Sequence, residues 1–483
     1  MAYLVKPKRS WKNVLFKPDY NAYTDEEIMA EIVYCSAFGA IGGLTLLADK
    51  SYKGLLTAAV HFNKAYKLYF EALNIAKYRK KWQHPLAKQQ FDMGLKLSLG
   101  TSSMVFSFAP TKIARLLTMV GINTDLDKAL KEIHDVVDSN DPLFFIPSSM
   151  SLLGFYGLLE PVYGCGESRK DICVNLCESF VKNEFYGHLR YFVLGAREVI
   201  LGNLDASIAY EHKTRDTLSY LGNTTIVTSV FNLLNYGLSG QLDKAIECVE
   251  HFDKMKVKAY LPSFLVYIHA ALMRAKMDEG HPEMEEAVSN KLREIKQTRG
   301  FFVLKKVFYE KMIETRAQQF VNDAKSWILP HFEILYIGNF FYVIEGNAKY
   351  IDPMMDKVDR NLKELAKNDI DYWDKYAYLL FFKAFFLKLG GNQEDALSYF
   401  HEILSLESII ERETQLVPQT CYEIGLIHRK NHKTAEAKRW LNKASKYTEY
   451  NTEFLLQWRC KYALEHLTPM EYVMPETMSH LPL

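Results

Sequence analysis

Apolar residues recur at steps of three and four along most of the chain, as in DEEIMAEIVYCSAFGAIGGLTLLA (25–48), YKGLLTAAVHFNKAYKLYFEALNIAKYRKKW (52–82) and PMMDKVDRNLKELAKN (353–368). That spacing lines one face of a helix and predicts helices nearly everywhere. Strict alternation of apolar and polar positions, the mark of a half-buried strand, is scarce. The pattern breaks at SNDP (139–142), GCGES (164–168), LGN (201–203), EGHPE (279–283) and LGGN (389–392), where Gly, Pro and Asn stop helices. None of these breaks has the length of a flexible linker, so short turns are expected to join neighbouring helices into hairpins.

Three of the turns share a register. In LGNLDASIAYEH (201–212), SGQLDKAIECVEHF (239–252) and GGNQEDALSYF (390–400), a glycine (Gly202, Gly240, Gly391) precedes a small residue by five positions (Ser207, Ala245, Ala396). Glycine closes the first helix because a left-handed backbone costs it little. The small residue lets the second helix lie close to the first, and a bulky residue nine after the glycine, Phe400 in the third case, plugs the groove between hairpins. Ala384 stands twelve residues before Ala396, and Gly425 stands twelve before Ala437, which is followed by Leu441 and Ala444. This is the tetratricopeptide pattern, whose usual period is about 34 residues. Here Gly202 to Gly240 is 38 residues and Ala396 to Ala437 is 41, so the hairpins are longer than usual and the repeat is degenerate.

The expected fold is therefore all-α, an α-solenoid of long, degenerate tetratricopeptide-type helix hairpins, because such units bury their apolar faces only by stacking. Five segments are expected: a Pro-broken basic start (1–24), N-terminal helical repeats (25–190), central helical repeats (191–370), C-terminal tetratricopeptide repeats (371–466) and an irregular tail (467–483).

Composition narrows the function classes. Hydrophobic residues at 48% and charged residues at 24% fit a folded chain with a sizeable core. With 59 Lys and Arg against 58 Asp and Glu, the net charge of +1 supplies no broad field for nucleic acid or anionic lipid, so any such contact must be local. Seven scattered cysteines suggest reduced thiols and a cytoplasmic or nuclear protein. The start, MAYLVKPKRSWKNVLFKPDY, is broken by Pro7 and Pro18 and has no apolar core of a secretory signal, which leaves Asn223 in NTT as an idle glycosylation sequon. IVYCSAFGAIGGLTLLA (32–48) has 17 residues without a charge. It falls short of the ~20 that a membrane span needs, and Gly39, Gly42 and Gly43 suit a buried helix packed closely on a neighbour.

The segment SLESIIERETQLVPQTCYEIGLIHRKNHKTAEAKRWLNKASKYTEYNTEFLLQWRCKYAL (405–464) resembles the C-terminal part of the tetratricopeptide repeat protein 39 family, which includes the fungal inclusion-body-clearance proteins. Glu407, Pro418, Tyr422, Glu423, Tyr447, Glu453 and Arg459 carry the resemblance, along with Ala437, Leu441 and Ala444. FAPTKIARLLTMVGINTDLDKALKEI is similar to the family through Pro110, Leu116, Leu117, Gly121 and Asp125, and YFVLGAREVILGNLDASIAY through Gly195, Arg197 and Gly202. The chain departs from the family at its basic start, where a first helix pair is expected, and at Gln241 and Leu242, where the family tends to place an aromatic. The resemblance implies adaptors connected with inclusion-body clearance, lipid homeostasis and ciliary biology, and it supplies no ligand that maps onto particular residues.

No catalytic, cofactor or metal set stands out among the residues. Cys165, Cys173 and Cys177 lack a nearby second pair for zinc, and His428 and His432 lack the glutamate between them that HExxH chemistry uses. GCGESRKD has Gly164 and Gly166 but no preceding strand and no Gly-Lys-Ser ending. The sharpest basic patch is KYRKKWQH, with Lys77, Arg79, Lys80 and Lys81 as candidate surface cations beside Tyr78 and Trp82. Cations also suit a helix C-terminus, so nucleic acid is not an expected partner. The runs YLLFFKAFFLK (378–388) and GNFFYVIEGNAKY (338–350) are expected to be mostly core, with a few rings lining an inner groove.

The expected protein is a non-enzymatic adaptor that binds partner proteins, without a cofactor, in the cytoplasm, the nucleus or at the cytosolic face of an organelle membrane. The rival expectation is a peripheral membrane or lipid-droplet binder that uses the N-terminal helix and an aromatic groove.

Overall fold

A computed structural model of the chain describes residues 19–48, 52–107, 125–164, 169–182, 189–218, 224–254, 262–295, 308–322, 327–369 and 371–467. Among the described residues every regular element is helical. They fall into two compact units that meet in sequence between Gly154 and Phe155, so the expected boundaries at 190 and 370 both lie within the second.

The first unit contains α1 (Asp25–Ala48), α2 (Tyr52–Tyr78), α3 (Pro85–Ser107), α4 (Leu126–Asp138) and α5 (Phe145–Gly154). A reciprocal cap starts α1: the Glu27 N–H donates to Thr24 Oγ1 at 3.3 Å, while the Thr24 N–H donates to Glu27 Oε2 at 2.9 Å. Small residues then let α1 and α2 approach closely. The Cys35 thiol donates to the Ala65 carbonyl at 3.2 Å, and a Cβ on Gly42 would lie 2.9 Å from the Phe62 ring. The expectation of a buried Ile32–Ala48 helix therefore holds for one face only. Ile32, Cys35 and Gly42 are buried, whereas Val33, Ile41 and Leu44 are exposed.

The second unit opens with a π-helical turn (Phe155–Leu159) and α6 (Glu160–Tyr163). The helices α7 (Lys170–Lys182), α8 (Leu189–Ile200), α9 (Leu204–Leu218), α10 (Thr224–Leu238), α11 (Leu242–Lys254), α12 (Pro262–Met277), α13 (Glu285–Ile295) and α14 (Phe308–Asn322) follow. After α15 (Pro330–Ile337) and a 3-10 turn (Phe340–Ile344) come α16 (Ala348–Glu364), α17 (Tyr372–Leu389), α18 (Gln393–Ser405), α19 (Leu416–Lys430), α20 (Thr434–Ala444) and α21 (Glu453–Glu465).

Four hairpins in this unit turn in the same way. The N–H groups of Asn203, Gln241, Asn392 and Lys433 each donate to the carbonyl five residues back, at 2.8–2.9 Å, which ties off the last turn of the first helix. The residue before each donor is left-handed: Gly202, Gly240 and Gly391 have φ of 78°, 73° and 91°, and His432 has 56°. Helix α17 lies at the centre of the unit. Phe381, Phe382, Phe385 and Phe386 are buried and meet Phe332, Tyr336 and Phe341 edge-on or tilted, with centroids about 5–6 Å apart, while the buried Tyr378 packs on Phe382 at 5.1 Å. The rings of this run are core, and of the second run Phe341, Tyr342 and Tyr350 are buried while Phe340 is half-buried.

The unit is also closed on itself by contacts between residues far apart in sequence. Arg459 donates from Nη2 to the Val162 carbonyl at 2.8 Å and to the Ile337 carbonyl at 2.5 Å, so one guanidinium on α21 ties together the last turns of α6 and α15. The Tyr422 hydroxyl donates to the Gly164 carbonyl at 3.3 Å, and the Tyr462 hydroxyl to Glu160 at 2.8 Å. Solenoid-like stacking of hairpins thus ends in a return of the last helices to the first.

Candidate interaction site

The repeat-signature residues come together as hairpin joints. Ser207, Ala245, Ala384, Ala396, Ala437 and Ala444 are fully buried where helices pack. A Cβ on Gly425 would lie 2.9 Å from the Leu441 side chain, which explains a glycine opposite that leucine. Phe400 is fully buried and its ring lies 5.9 Å from that of Phe381. These residues set the spacing of helices and present no group to a ligand.

A cleft with convergent charge lies at the mouth between α14, the start of α17 and the segment before α19. Arg316, buried, is its centre. Its guanidinium donates to Glu333 from Nε at 3.0 Å and Nη2 at 2.6 Å, and to Glu413 Oε2 at 2.7 Å, with Gln319 accepting at 3.0 Å. Burial disfavours the guanidinium charge, yet the two carboxylates override it and hold Arg316 well above its ordinary value. Burial pushes the Glu333 carboxyl up, against the pull of Arg316. Beside them Asp374 accepts three successive backbone N–H groups, from Glu411, Arg412 and Glu413, at 3.2, 2.8 and 2.8 Å. Arg412 is paired with Asp371.

The space left between these groups holds about one water molecule. Arg316, Arg412 and the carboxylates they bind are committed to one another, and no Ser or Cys nucleophile stands among the residues of the cleft. The arrangement is a clamp. It pins a loop of 410–415 onto α14 and α17, and breaking it by removing Arg316 would strand two buried carboxylates. A second clamp joins α15, α17 and α19, where Glu423 accepts from the Tyr336 hydroxyl at 2.8 Å and is paired with Lys388.

The basic patch does not hold together as a surface. Lys77, Lys80 and Lys81 are exposed, but Arg79 is buried. Its guanidinium donates to the Tyr20 carbonyl at 2.6 Å, the Tyr23 carbonyl at 2.8 Å and Asp25 at 2.6 Å, and lies 4.7 Å from the Trp82 ring. Arg79 is thus the bolt that fixes the turn after α2 to the start of α1. A single residue among four cations in sequence can be internal because the chain turns there. Cys173 and Cys177 lie in the core, where burial pushes the Cys177 thiol up to about 12. Cys165, Gly166, Asn223, Pro110, Leu116, Leu117 and Gly121 fall outside the described residues.

Arg316, Glu333 and Glu413 escaped the sequence reading because each is a common charged residue whose partners lie up to 97 positions away. Arg459, Tyr422 and Glu423 carry the family resemblance in the sequence, but the roles that the closed unit gives them depend on partners far along the chain. Glu211 was readable: it stands nine residues after Gly202, where the hairpin register asks for a bulky plug.

The sequence model of the family described as Iml2/Tetratricopeptide repeat protein 39 matches residues 5–376. The match ends before the C-terminal block that carries the resemblance described above. Among curated proteins, the chain is similar to "Tetratricopeptide repeat protein ttc-39B" of Caenorhabditis elegans, at 23% identity over 480 residues, covering 96% of this chain and 81% of that one. No solved structure matches the chain.

Proposed function

Because the chain belongs to the Iml2/tetratricopeptide repeat protein 39 family, we propose that it is a non-enzymatic adaptor that binds partner proteins through its helical repeats, in the service of protein quality control or lipid homeostasis. One observation carries this reading. In the second unit the convergent charged groups, above all Arg316 with Glu333 and Glu413, are spent on holding helices together, which suits a scaffold better than a reaction centre. The working place proposed is the cytoplasm, the nucleus or the cytosolic face of an organelle membrane, and among the described residues no helix is long and apolar enough to cross a membrane.

The test is proximity labelling by the full-length chain in its native cells, followed by direct binding of the leading candidates to purified protein. A discrete set of proteins that also bind in purified form is the expected result. Labelling no different from that of an inert protein of equal size, or candidates that fail to bind directly, overturns the adaptor.

A further inference from the structure

We propose that the outer face of the α1–α2 hairpin is a docking surface for an anionic membrane, on which the hairpin lies flat. On α1, Val33, Ala37, Ile41 and Leu44 are exposed at steps of four, four and three, a purely aliphatic stripe. On α2, Lys53, Leu56, Val60, Lys64 and Lys67 are exposed at steps of three, four, four and three, a stripe that mixes aliphatic residues with lysines. The two stripes adjoin. Lys64 Nζ sits 4.0 Å from the centre of the Phe38 ring and 5.3 Å from that of Tyr34, and the Phe38 and His61 rings stack at 5.8 Å. Val33, Leu44 and Val60 each expose more than 60% of their surface, far beyond the scattered apolar exposure of an ordinary surface.

Charge selects the occupant. No exposed residue of α2 is acidic: Glu71, its one carboxylate, is half-buried and accepts the Tyr20 hydroxyl at 3.0 Å. From Ile32 to Ala48, α1 carries no charge at all. The other carboxylates of the hairpin stand at the start of α1, where Asp25 is paired with Arg79 and Glu26, Glu27 and Glu31 follow, so beyond that stretch the lysines form a local field of one sign on a chain whose net charge is only +1. Protein interfaces favour aromatic residues and arginine and are depleted in lysine, whereas surfaces that rest in the lipid headgroup layer combine aliphatic residues with lysines that reach back to phosphate. This face has the second composition, and the exposed Phe70, which continues the α2 stripe, also suits a helix resting at the acyl boundary. Helix α1, with 24 residues, is ~36 Å long, which gives the contact the extent of several headgroups rather than a pocket.

The experiment is co-sedimentation of the full-length protein with vesicles of phosphatidylcholine, alone or with about one-third phosphatidylserine. Binding is expected to be about tenfold tighter on the phosphatidylserine vesicles and to weaken as salt rises. The double variants Lys53→Glu/Lys67→Glu and Ile41→Ser/Leu44→Ser change exposed positions only, so their melting curves should match the parent while each loses about tenfold in vesicle binding. Equal binding to both vesicle types, or variants that bind like the parent, overturns the proposal. So does a parent chain that ignores vesicles but forms a dimer that Ile41→Ser/Leu44→Ser dissociates, or that crosslinks to an acidic protein only while Lys53 and Lys67 are intact.

Discussion

Two hairpins of the second unit are built on one register and differ in what fills it. In α19–α20 the glycine, small residue and plug are Gly425, Ala437 and Leu441; in α8–α9 the same intervals fall on Gly195, Ser207 and Glu211. A Cβ on either glycine would lie 2.9 Å from the plug, the Leu441 side chain in one hairpin and Glu211 Oε1 in the other. Both plugs are fully buried. The leucine brings no polar atom with it. Neither carboxyl oxygen of Glu211 has a protein hydrogen-bond partner, and burial pushes the carboxyl up to about 8. The slot therefore selects volume, and it accepts a carboxyl that keeps its proton.

That difference makes one hairpin sensitive to pH. The carboxyl titrates near 4.5 when unfolded and near 8 when folded. Between those values the folded chain holds a proton that the unfolded chain has released, so stability is greatest below the lower value and falls as pH rises towards the upper one. The slope is about 1.4 kcal/mol per pH unit at most. The leucine hairpin has no such dependence of its own.

The largest expected effect comes from giving both hairpins the carboxyl. Leu441→Glu should cost about 4 kcal/mol or more at pH 8, from lost packing and a buried unpaired charge. At pH 5 the loss should be visibly smaller, because the new carboxyl can stay protonated. Urea midpoints at the two pH values decide it, and equal losses would break the comparison. The reverse exchange, Glu211→Leu, should raise stability at pH 8 by roughly 2–4 kcal/mol and leave it nearly unchanged below pH 5. A gain of the same size at both pH values would mean that the glutamate costs packing, not ionisation.

A finer test adds one carbon to each glycine. Alanine for a helical glycine gains up to about 1 kcal/mol in the helix itself. At Gly425 the added carbon meets the branch of Leu441 at 2.9 Å and the Leu441 backbone nitrogen at 3.3 Å, neither of which can move freely. Gly425→Ala should lose about 1–2 kcal/mol in all. At Gly195 the carbon meets the tip of Glu211, a side chain that can swing, so Gly195→Ala should be near neutral. Melting temperatures of the two variants, taken at pH 6, give the contrast directly.

The hairpins were legible in the sequence because their signal is local. Gly391, Ala396 and Phe400 lie within ten residues, and each constraint acts on the helix pair that contains it. The same short range explains why the turn at His432 was harder to see: with no glycine, only the structure shows its left-handed backbone. Arg79 and the Arg316 clamp were not legible, because burial of a cation depends on partners brought in by the fold. Arg79 binds backbone carbonyls of Tyr20 and Tyr23, more than 50 residues away, and a carbonyl leaves no mark in a sequence. Closure of the second unit by Arg459 is hidden for the same reason, since both of its acceptors are backbone oxygens.

The smallest expected effect tests the turn that departs from the others. At φ 56°, His432 occupies the place that Gly202, Gly240 and Gly391 hold elsewhere, and the Lys433 N–H still closes on the His428 carbonyl at 2.9 Å. A side chain in this conformation costs ~1–2 kcal/mol, while glycine gives back part of that through the greater freedom of its unfolded state. His432→Gly should therefore stabilise the α19–α20 hairpin by about 0.5 kcal/mol, and Gly391→His should destabilise α17–α18 by a similar or greater amount. Both shifts are readable as changes in urea midpoint. If His432→Gly instead lowers it, the imidazole holds something in that turn, and the four turns are alike in backbone but not in what stabilises them.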